Sequence, residues 1–475
     1  MIRANQCACL RVFPLRGIYT KMSGLMIDRH HLDQVVEGKA RLTAQQALEL
    51  YHEASLHDLG RWSSAMCNRI HGDTYRSYVI DRNVNYTNVC SARCTFCAFR
   101  RDVDDHDAYT LSKEELKNKF TELVNLGGTQ ALMQGGMHPD LPITFYEELL
   151  SWLKAEFPTI HLHAFSPPEF VEFVAVFDLD GFPTTAPGKS HALPAEVWAA
   201  KLEVIMDRLQ AAGLDTIPGG GGEIFAAPVR DRIGRGKATA RQWLDVMKCA
   251  HRHGMNTSAT MMFGHIESIA DRMDHMLQIR DAQDEAIANN WPGKYTAFIS
   301  WPFQRENTPM GRLPNWDRDS GEAFPGEDIE HPKYAKVLRM SGATDYLRMQ
   351  AISRLFLDNV HSIGASWVTM GPHIGQLGLF YGANDMGSVM IEENVVSAAG
   401  TTYCLDEALL CRLIRNSGFT PAQRANDYSF LRIHDGEQSP DLMVTDWSEH
   451  RVSHLHQHGH EDESLTQLTI TSPEN

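Results

Sequence analysis

Strand and helix signals alternate along most of this 475-residue chain, and that alternation restricts its fold more than any other feature. Short β-branched or apolar runs stand at 77–87 (SYVIDRNVNYT), 129–134, 160–165, 215–217, 256–263, 295–300 and 362–369, with helical spacing between them. Capping boxes mark two helix starts, Thr43 with Gln46 and Ser112 with Glu115, and Gly127-Gly128 ends the helix that the second one opens. Further helices are predicted from Thr144 and over 197–212, 241–253, 268–287 and 346–359. Strands joined by crossover helices run parallel, and six or more such units favour a closed ring over an open sheet. The expected fold class is therefore α/β, a (β/α) TIM-type barrel whose C-terminal strand ends carry the chemistry.

The barrel is expected over 77–425, preceded by a loose extension over 1–40 and a helical lead-in over 41–76, and followed by a disordered histidine-rich tail over 436–475. The first 21 residues hold basic but no acidic side chains, and read as an extension or an early start ahead of Met22 or Met26. Two stretches rich in Pro, Gly and acidic residues, 176–194 and 308–333, read as surface loops or lids. No run reaches the roughly 18–20 apolar residues of a membrane helix. With 44 basic against 60 acidic residues, a net charge of −16, a nucleic-acid backbone is an unsuitable partner. A cytoplasmic protein with neither a membrane nor a nucleic-acid partner is expected, and nine scattered cysteines fit a reducing compartment better than a disulfide framework.

The stretch NYTNVCSARCTFCAFRR (85–101) places Cys90, Cys94 and Cys97 directly after the first strand. A structural zinc site takes four N or S ligands, and the remaining cysteines, at 7, 9, 67, 249, 404 and 411, supply no second close pair. Three thiolates on a four-iron cluster instead leave one iron open to an outside ligand. A non-catalytic iron or zinc protein is the alternative from a different class.

C-x3-C-x2-C with Phe96 ahead of the third cysteine resembles the signature of the radical S-adenosylmethionine (SAM) superfamily. The resemblance implies a 4Fe-4S cluster on Cys90, Cys94 and Cys97, with S-adenosyl-L-methionine chelating the open iron and yielding a 5′-deoxyadenosyl radical on reduction. It also implies cofactor contacts at Phe96, at Gly135 and Gly136 in QGGMHP, at Ser166 and Glu169 in FSPPEF, and at Gly264 in FGHIES, each placed after a predicted strand. Met137 and His138 stand where such patterns usually carry Glu after the glycines.

Within that superfamily DRNVNYTNVC (81–90), HAFSPPE (163–169), GLDTIPGGGGEI (213–224), TMMFGHIE (260–267), ASWVTMGP (365–372), GANDMGS (382–388) and EENVVSAAGTTY (392–403) look like the cyclic dehypoxanthine futalosine synthase family of menaquinone biosynthesis. Tyr86 stands where the related aminodeoxyfutalosine synthases and the tyrosine-using subunit of deazaflavin synthesis usually have proline, and Gly222 stands where alanine is expected. The resemblance implies a small-molecule substrate, dehypoxanthine futalosine, and an external one-electron donor such as flavodoxin or ferredoxin. The radical would take hydrogen from C4′, the carbon radical would attack the benzoate ring, and loss of one electron and one proton would restore aromaticity. Asp385, His265 and Glu223 are the candidate catalytic proton acceptors, with loop capping as the alternative role for each. Arg82, Arg305 and Arg348 are candidates for the benzoate carboxylate, Trp301, Phe303 and Trp367 for the cavity wall, and Glu392, Glu393 and Asn394 for holding the barrel closed.

Overall fold

The computed structural model describes residues 27–322, 324–325 and 336–441. In it the alternating signals close into a ring of eight parallel segments among the described residues. The run at 77–87 forms two strands, Tyr75–Val79 and Asp81–Val84, with a break at Ile80. Asp81–Val84 pairs with Gln130–Met133, Asp81 opposite Gln130, and Gln130–Met133 pairs with His161–Ala164, Leu132 opposite His163. Single bridges, His163 to Thr216 and Ile217 to Thr257, stitch in the short fourth segment. Thr257–Phe263 pairs with Tyr295–Pro302, and that strand with Ser362–Gly364. Gly364 then lies opposite Asp385, and Asp385–Ser388 returns to the first strand, Ser77 opposite Asp385. No helix among the described residues is long and apolar enough to cross a membrane.

Two strand readings change. The run at 362–369 is a strand only over Ser362–Gly364 and becomes helical at Trp367–Met370, because the Ser366 N–H donates to the Tyr346 hydroxyl (2.7 Å) and leaves the ladder. The eighth strand, Asp385–Ser388, has no β-branched run to announce it and contains Gly387 at φ 75°. It is recognisable only by what it pairs with.

The ends of the body also differ from expectation. Within the extension expected to be loose, Arg29–Val36 is a helix capped by Asp28, and its apolar positions Leu32 and Val35 are buried against the core. The lead-in is two helices, Ala44–Glu53 and Leu56–His71, the first with the full Thr43–Gln46 capping box. Past 425 the chain remains structured: Thr420–Arg424 lies parallel to Tyr75–Val79, and Phe430–Ile433 pairs antiparallel with it. The tail expected to be disordered from 436 is anchored as far as residue 441, where Asp441 is buried and ion-paired with Arg415 at 2.5 Å. The histidine-rich stretch at 450–462 lies outside the described residues. The 176–194 loop is tied down rather than free, with Leu179 and Leu193 buried and the Gly188 N–H donating to Glu172 (2.8 Å).

The added strand delivers Arg424 to the ring. Asp385 accepts from Arg424 Nε (2.6 Å) and Nη2 (3.0 Å), from Ser77 Oγ (2.6 Å) and from the Gly387 N–H (2.9 Å). Both partners of this bidentate pair are buried. Removing one partner strands a charge, so Arg424→Met is expected to lower unfolding stability by about 3–5 kcal/mol, read by urea denaturation. An unchanged midpoint would show that the pair does not hold the ring.

Candidate active site

The cysteine loop leaves the first barrel strand and is fixed by backbone bonds to its neighbours. Cys90 N–H donates to Arg101 O (3.0 Å), Ser91 N–H to Met137 O (2.8 Å) and Thr95 N–H to Ile233 O (2.8 Å), while Arg93 and Cys94 pair antiparallel with Arg235 and Gly234. Cys90, Cys94 and Cys97 form no disulfide, and all three line one cavity of about 470 Å³. Burial pushes Cys90 up to about 11 and Cys94 up to about 12. Both are therefore thiols at neutral pH until a metal displaces their protons. Lys237 Nζ, 4.9 Å from the Phe96 ring centroid, brings positive charge to this end of the cavity.

Gly135 and Gly136 are required by close packing. A Cβ at Gly136 would lie 2.0 Å from Val89 O and 2.9 Å from Cys90 Cβ, and one at Gly135 would lie 2.5 Å from Tyr86 Cζ. Beside them, buried Glu169 gathers donors from three loops: Tyr86 Oη (2.7 Å), the Gly135 N–H (3.1 Å), the Ser166 N–H (2.7 Å) and Ser166 Oγ (2.8 Å). Ser166 and Glu169 form the capping box of a helix over Pro167–Val176, where only a loop motif was expected. Burial raises the Glu169 carboxyl to about 7 against the pull of these donors. The expected set Phe96, Gly135, Gly136, Ser166 and Glu169 thus meets the cysteines in one cavity.

Gly264 does not join them. It packs against Ser341 at φ 85°, away from the cavity lining. His265 is likewise sealed outside, fully buried with Nδ1 3.0 Å from Glu267 Oε2 and Nε2 3.1 Å from Met262 O. Glu267 accepts the Gly264 and His265 N–H groups and pairs with Arg272 Nε at 2.9 Å. Burial would raise its carboxyl, but His265 and Arg272 outweigh that and hold it well below the usual range. This segment is a buried ionic brace, and its glycine signal was a turn signal.

Glu223 and Asp385 do reach the cavity, but neither is free. Glu223, at φ 39°, pairs with Lys237 Nζ (2.7 Å) and lies 3.7 Å from Arg230 Nη1. Asp385 is held by Arg424. The three arginines proposed for the substrate carboxylate lie off the cavity lining: Arg82 pairs with Glu392 (2.7 Å), Arg305 bonds its own loop at Leu313 O (3.0 Å), and Arg348 bonds Ala54 O (2.6 Å). Trp301, Phe303 and Trp367 do wall the cavity. At Gly222 an alanine Cβ would meet Thr260 O at 2.4 Å, which accounts for the fourth glycine.

Residues 84–279 match the Radical SAM superfamily, and residues 322–436 match the CofH/MqnC C-terminal region. A cyclic dehypoxanthine futalosine synthase of Halalkalibacterium halodurans is 39% identical over 86% of this chain and 96% of its own length, and one of Streptomyces coelicolor is 36% identical over 85% and 89%. The chain belongs to the radical SAM superfamily. An aminodeoxyfutalosine synthase of Thermus thermophilus is 32% identical over 85% of this chain and 95% of its own length. Among solved structures, methylornithine synthase shares the fold, with a TM-score of 0.56 over 82% of this chain and 97% of that chain at 16% identity.

Radical SAM enzymes use a 4Fe-4S cluster and S-adenosylmethionine. The cavity fits both groups, since it joins three cysteines free of disulfides to the Gly135–Gly136 segment, which only glycine lets pack directly against the cysteine loop. Among the lining residues that sequence reasoning missed are His163, Lys237, Arg424 and Tyr428. His163 was discoverable as the inward partner of alternation in IHLHAF (160–165), whereas Lys237 and Arg424 belong to segments without a strand or motif signal.

Two substitutions test this geometry. Gly136→Ala should displace Cys90 and leave the reconstituted protein deficient in iron and in 4Fe-4S absorbance, while a normal iron content would refute the cradle. Tyr86→Phe removes one donor to Glu169 and keeps the ring. The folded carboxyl sits at about 7, above the usual carboxylate range, so its ionisation removes stability as pH rises toward and through 7. Losing a donor raises it further, so the cofactor-free variant should be destabilised by about 1.5–3 kcal/mol at pH 8 and by less at pH 5, read by denaturant melts. A penalty independent of pH would mean that the hydroxyl does not serve the carboxylate.

Proposed function

We propose that this radical SAM enzyme is a cyclase converting dehypoxanthine futalosine to cyclic dehypoxanthine futalosine, a step of menaquinone biosynthesis carried out in the cytoplasm. The observation that carries the reading is Tyr86, which the sequence resemblance gives as the position where the cyclase pattern departs from its relatives. Its hydroxyl is bonded to Glu169 and its ring packs against Gly135, so it stands directly behind two residues that line the cavity. Identity of 39% and 36% to two cyclases, against 32% to an aminodeoxyfutalosine synthase, supports the same choice.

In this reading Cys90, Cys94 and Cys97 hold the cluster, and Gly135, Gly136, Ser166 and Glu169 seat S-adenosylmethionine. When bound, the two groups would supply a 5′-deoxyadenosyl radical, the electron coming from an external one-electron donor such as a flavodoxin or ferredoxin. Trp301, Phe303 and Trp367 exclude water from the reacting carbons. Asn83, an inward polar group on the first strand, offers hydrogen bonds to a ribose-derived substrate.

Anaerobic incubation of the reconstituted protein with S-adenosylmethionine, dithionite and dehypoxanthine futalosine, followed by mass spectrometry, tests the reading. The expected result is cyclic product with one free 5′-deoxyadenosine per turnover, and Cys94→Ala should lose both cluster absorbance and turnover. An adenosylated product in place of free 5′-deoxyadenosine would overturn it.

A further inference from the structure

His161 and His163 stand two residues apart on the third barrel strand, so their side chains leave the same face. One hydroxyl joins them: Thr216 Oγ1 lies 2.6 Å from His161 Nε2 and 2.7 Å from His163 Nδ1. The His163 ring lines the cavity, and its Nε2 has no hydrogen-bond partner among the described residues. At the other end the His161 side chain is 30% exposed, with Nδ1 3.9 Å from Asp215 Oδ2. That oxygen also accepts from Lys154 Nζ and from the Leu162 N–H. Three side chains therefore lead from the cavity to a part-exposed imidazole.

The direction of the chain follows from counting hydrogens. A hydroxyl carries one, so Thr216 can donate to one imidazole and must accept from the other. Asp215 favours the proton on His161 Nδ1, which makes His161 Nε2 the acceptor of the Thr216 O–H. Thr216 Oγ1 then accepts from the His163 Nδ1–H, and His163 Nε2 presents a lone pair. Burial, with His161 and Arg424 adding to it, holds His163 well below the usual histidine range, so the ring rests neutral. The carboxylates that line the cavity, Asp81, Glu169, Glu223, Asp385 and Glu393, are all committed to protein donors.

Resting on the cyclase reading, we propose that His163 accepts the proton released from the benzoate ring and that Thr216 and His161 relay it to solvent. The ring C–H bond breaks, its proton joins His163 Nε2, and its electron pair stays in the ring. The resulting radical anion gives one electron to an external one-electron carrier of the iron–sulfur or flavin class. The His163 Nδ1 proton passes to Thr216 Oγ1 as the Thr216 hydroxyl proton passes to His161 Nε2, and His161 Nδ1 releases one proton to Asp215 or water. Each imidazole ends as its other tautomer, which proton exchange with water resets between turnovers.

The test compares the cluster-loaded wild type with His163→Gln, Thr216→Val and Thr216→Ser on dehypoxanthine futalosine. In His163→Gln cyclic product should form about 100-fold more slowly. Release of 5′-deoxyadenosine should fall far less, so its ratio to product should rise above one. Thr216→Val should raise the ratio and Thr216→Ser should restore it. Parallel loss of both products, or an unchanged ratio, overturns the role of His163. Nitrogen-15 NMR of the cluster-free chain, with His163 assigned by its absence in His163→Gln, should show a protonated Nδ1 and a bare Nε2, and the reverse tautomer also overturns the relay. A wild type that makes no cyclic product overturns the cyclase reading and the acceptor role with it, whereas normal product with an unchanged ratio in His163→Gln overturns the acceptor role alone.

Discussion

The mouth of the barrel depends on one buried carboxylate. Glu169 takes hydrogen bonds from the segments that follow the first, second and third strands, so three loops that carry or flank the cysteine triplet and the glycine pair are set relative to a single side chain. Its place in the first turn of a helix favours the anion, while burial opposes it. Those opposed pulls leave the group near neutrality, balanced by its donors rather than by a salt bridge. A cationic ligand group arriving nearby would tip that balance toward the ionised form.

Elsewhere the architecture relies on full ion pairs. Arg424 and Asp385 tie the added C-terminal strand to the eighth barrel strand, and Glu392 joins Arg82 of the first strand to Lys119 of the helix that follows it. Asn394 extends that brace to Asn85 at 3.2 Å, in keeping with a closing role for the Glu392–Asn394 stretch. A third network, Glu267 with Arg272 and His265, pins the turn after the fifth strand. All three lie where strands change neighbours or end, the places where backbone pairing alone leaves the ring weakest.

Much of the ring was legible because periodicity reports burial. The runs at 129–134, 160–165, 256–263 and 295–300 appear as strands close to the expected positions, and the capping boxes at Thr43 and Ser112 formed as read. The cysteines and the Gly135-Gly136 cradle were legible because chemistry restricts which residues can stand there. What escaped was decided by distant partners. Asp385–Ser388 is a strand only because Ser77 and Gly364 flank it, and the commitment of Asp385 to Arg424 is invisible without the strand at 420–424. His265 misled because a glycine beside a polar residue marks a tight turn as readily as a ligand loop.

The position of Arg424 has a consequence for how the molecule is made. Ser77 and Asp385, which share a hydrogen bond in the ring, are 308 residues apart, and the arginine that completes their cluster is translated later still. A chain growing from the ribosome can pair its first strands early, yet it cannot lock the first strand to the last until almost the whole described body has emerged. During that interval three thiols destined for one cavity sit on an unfinished scaffold. The timing of synthesis thus completes the cysteine loop long before the ring that surrounds it can close.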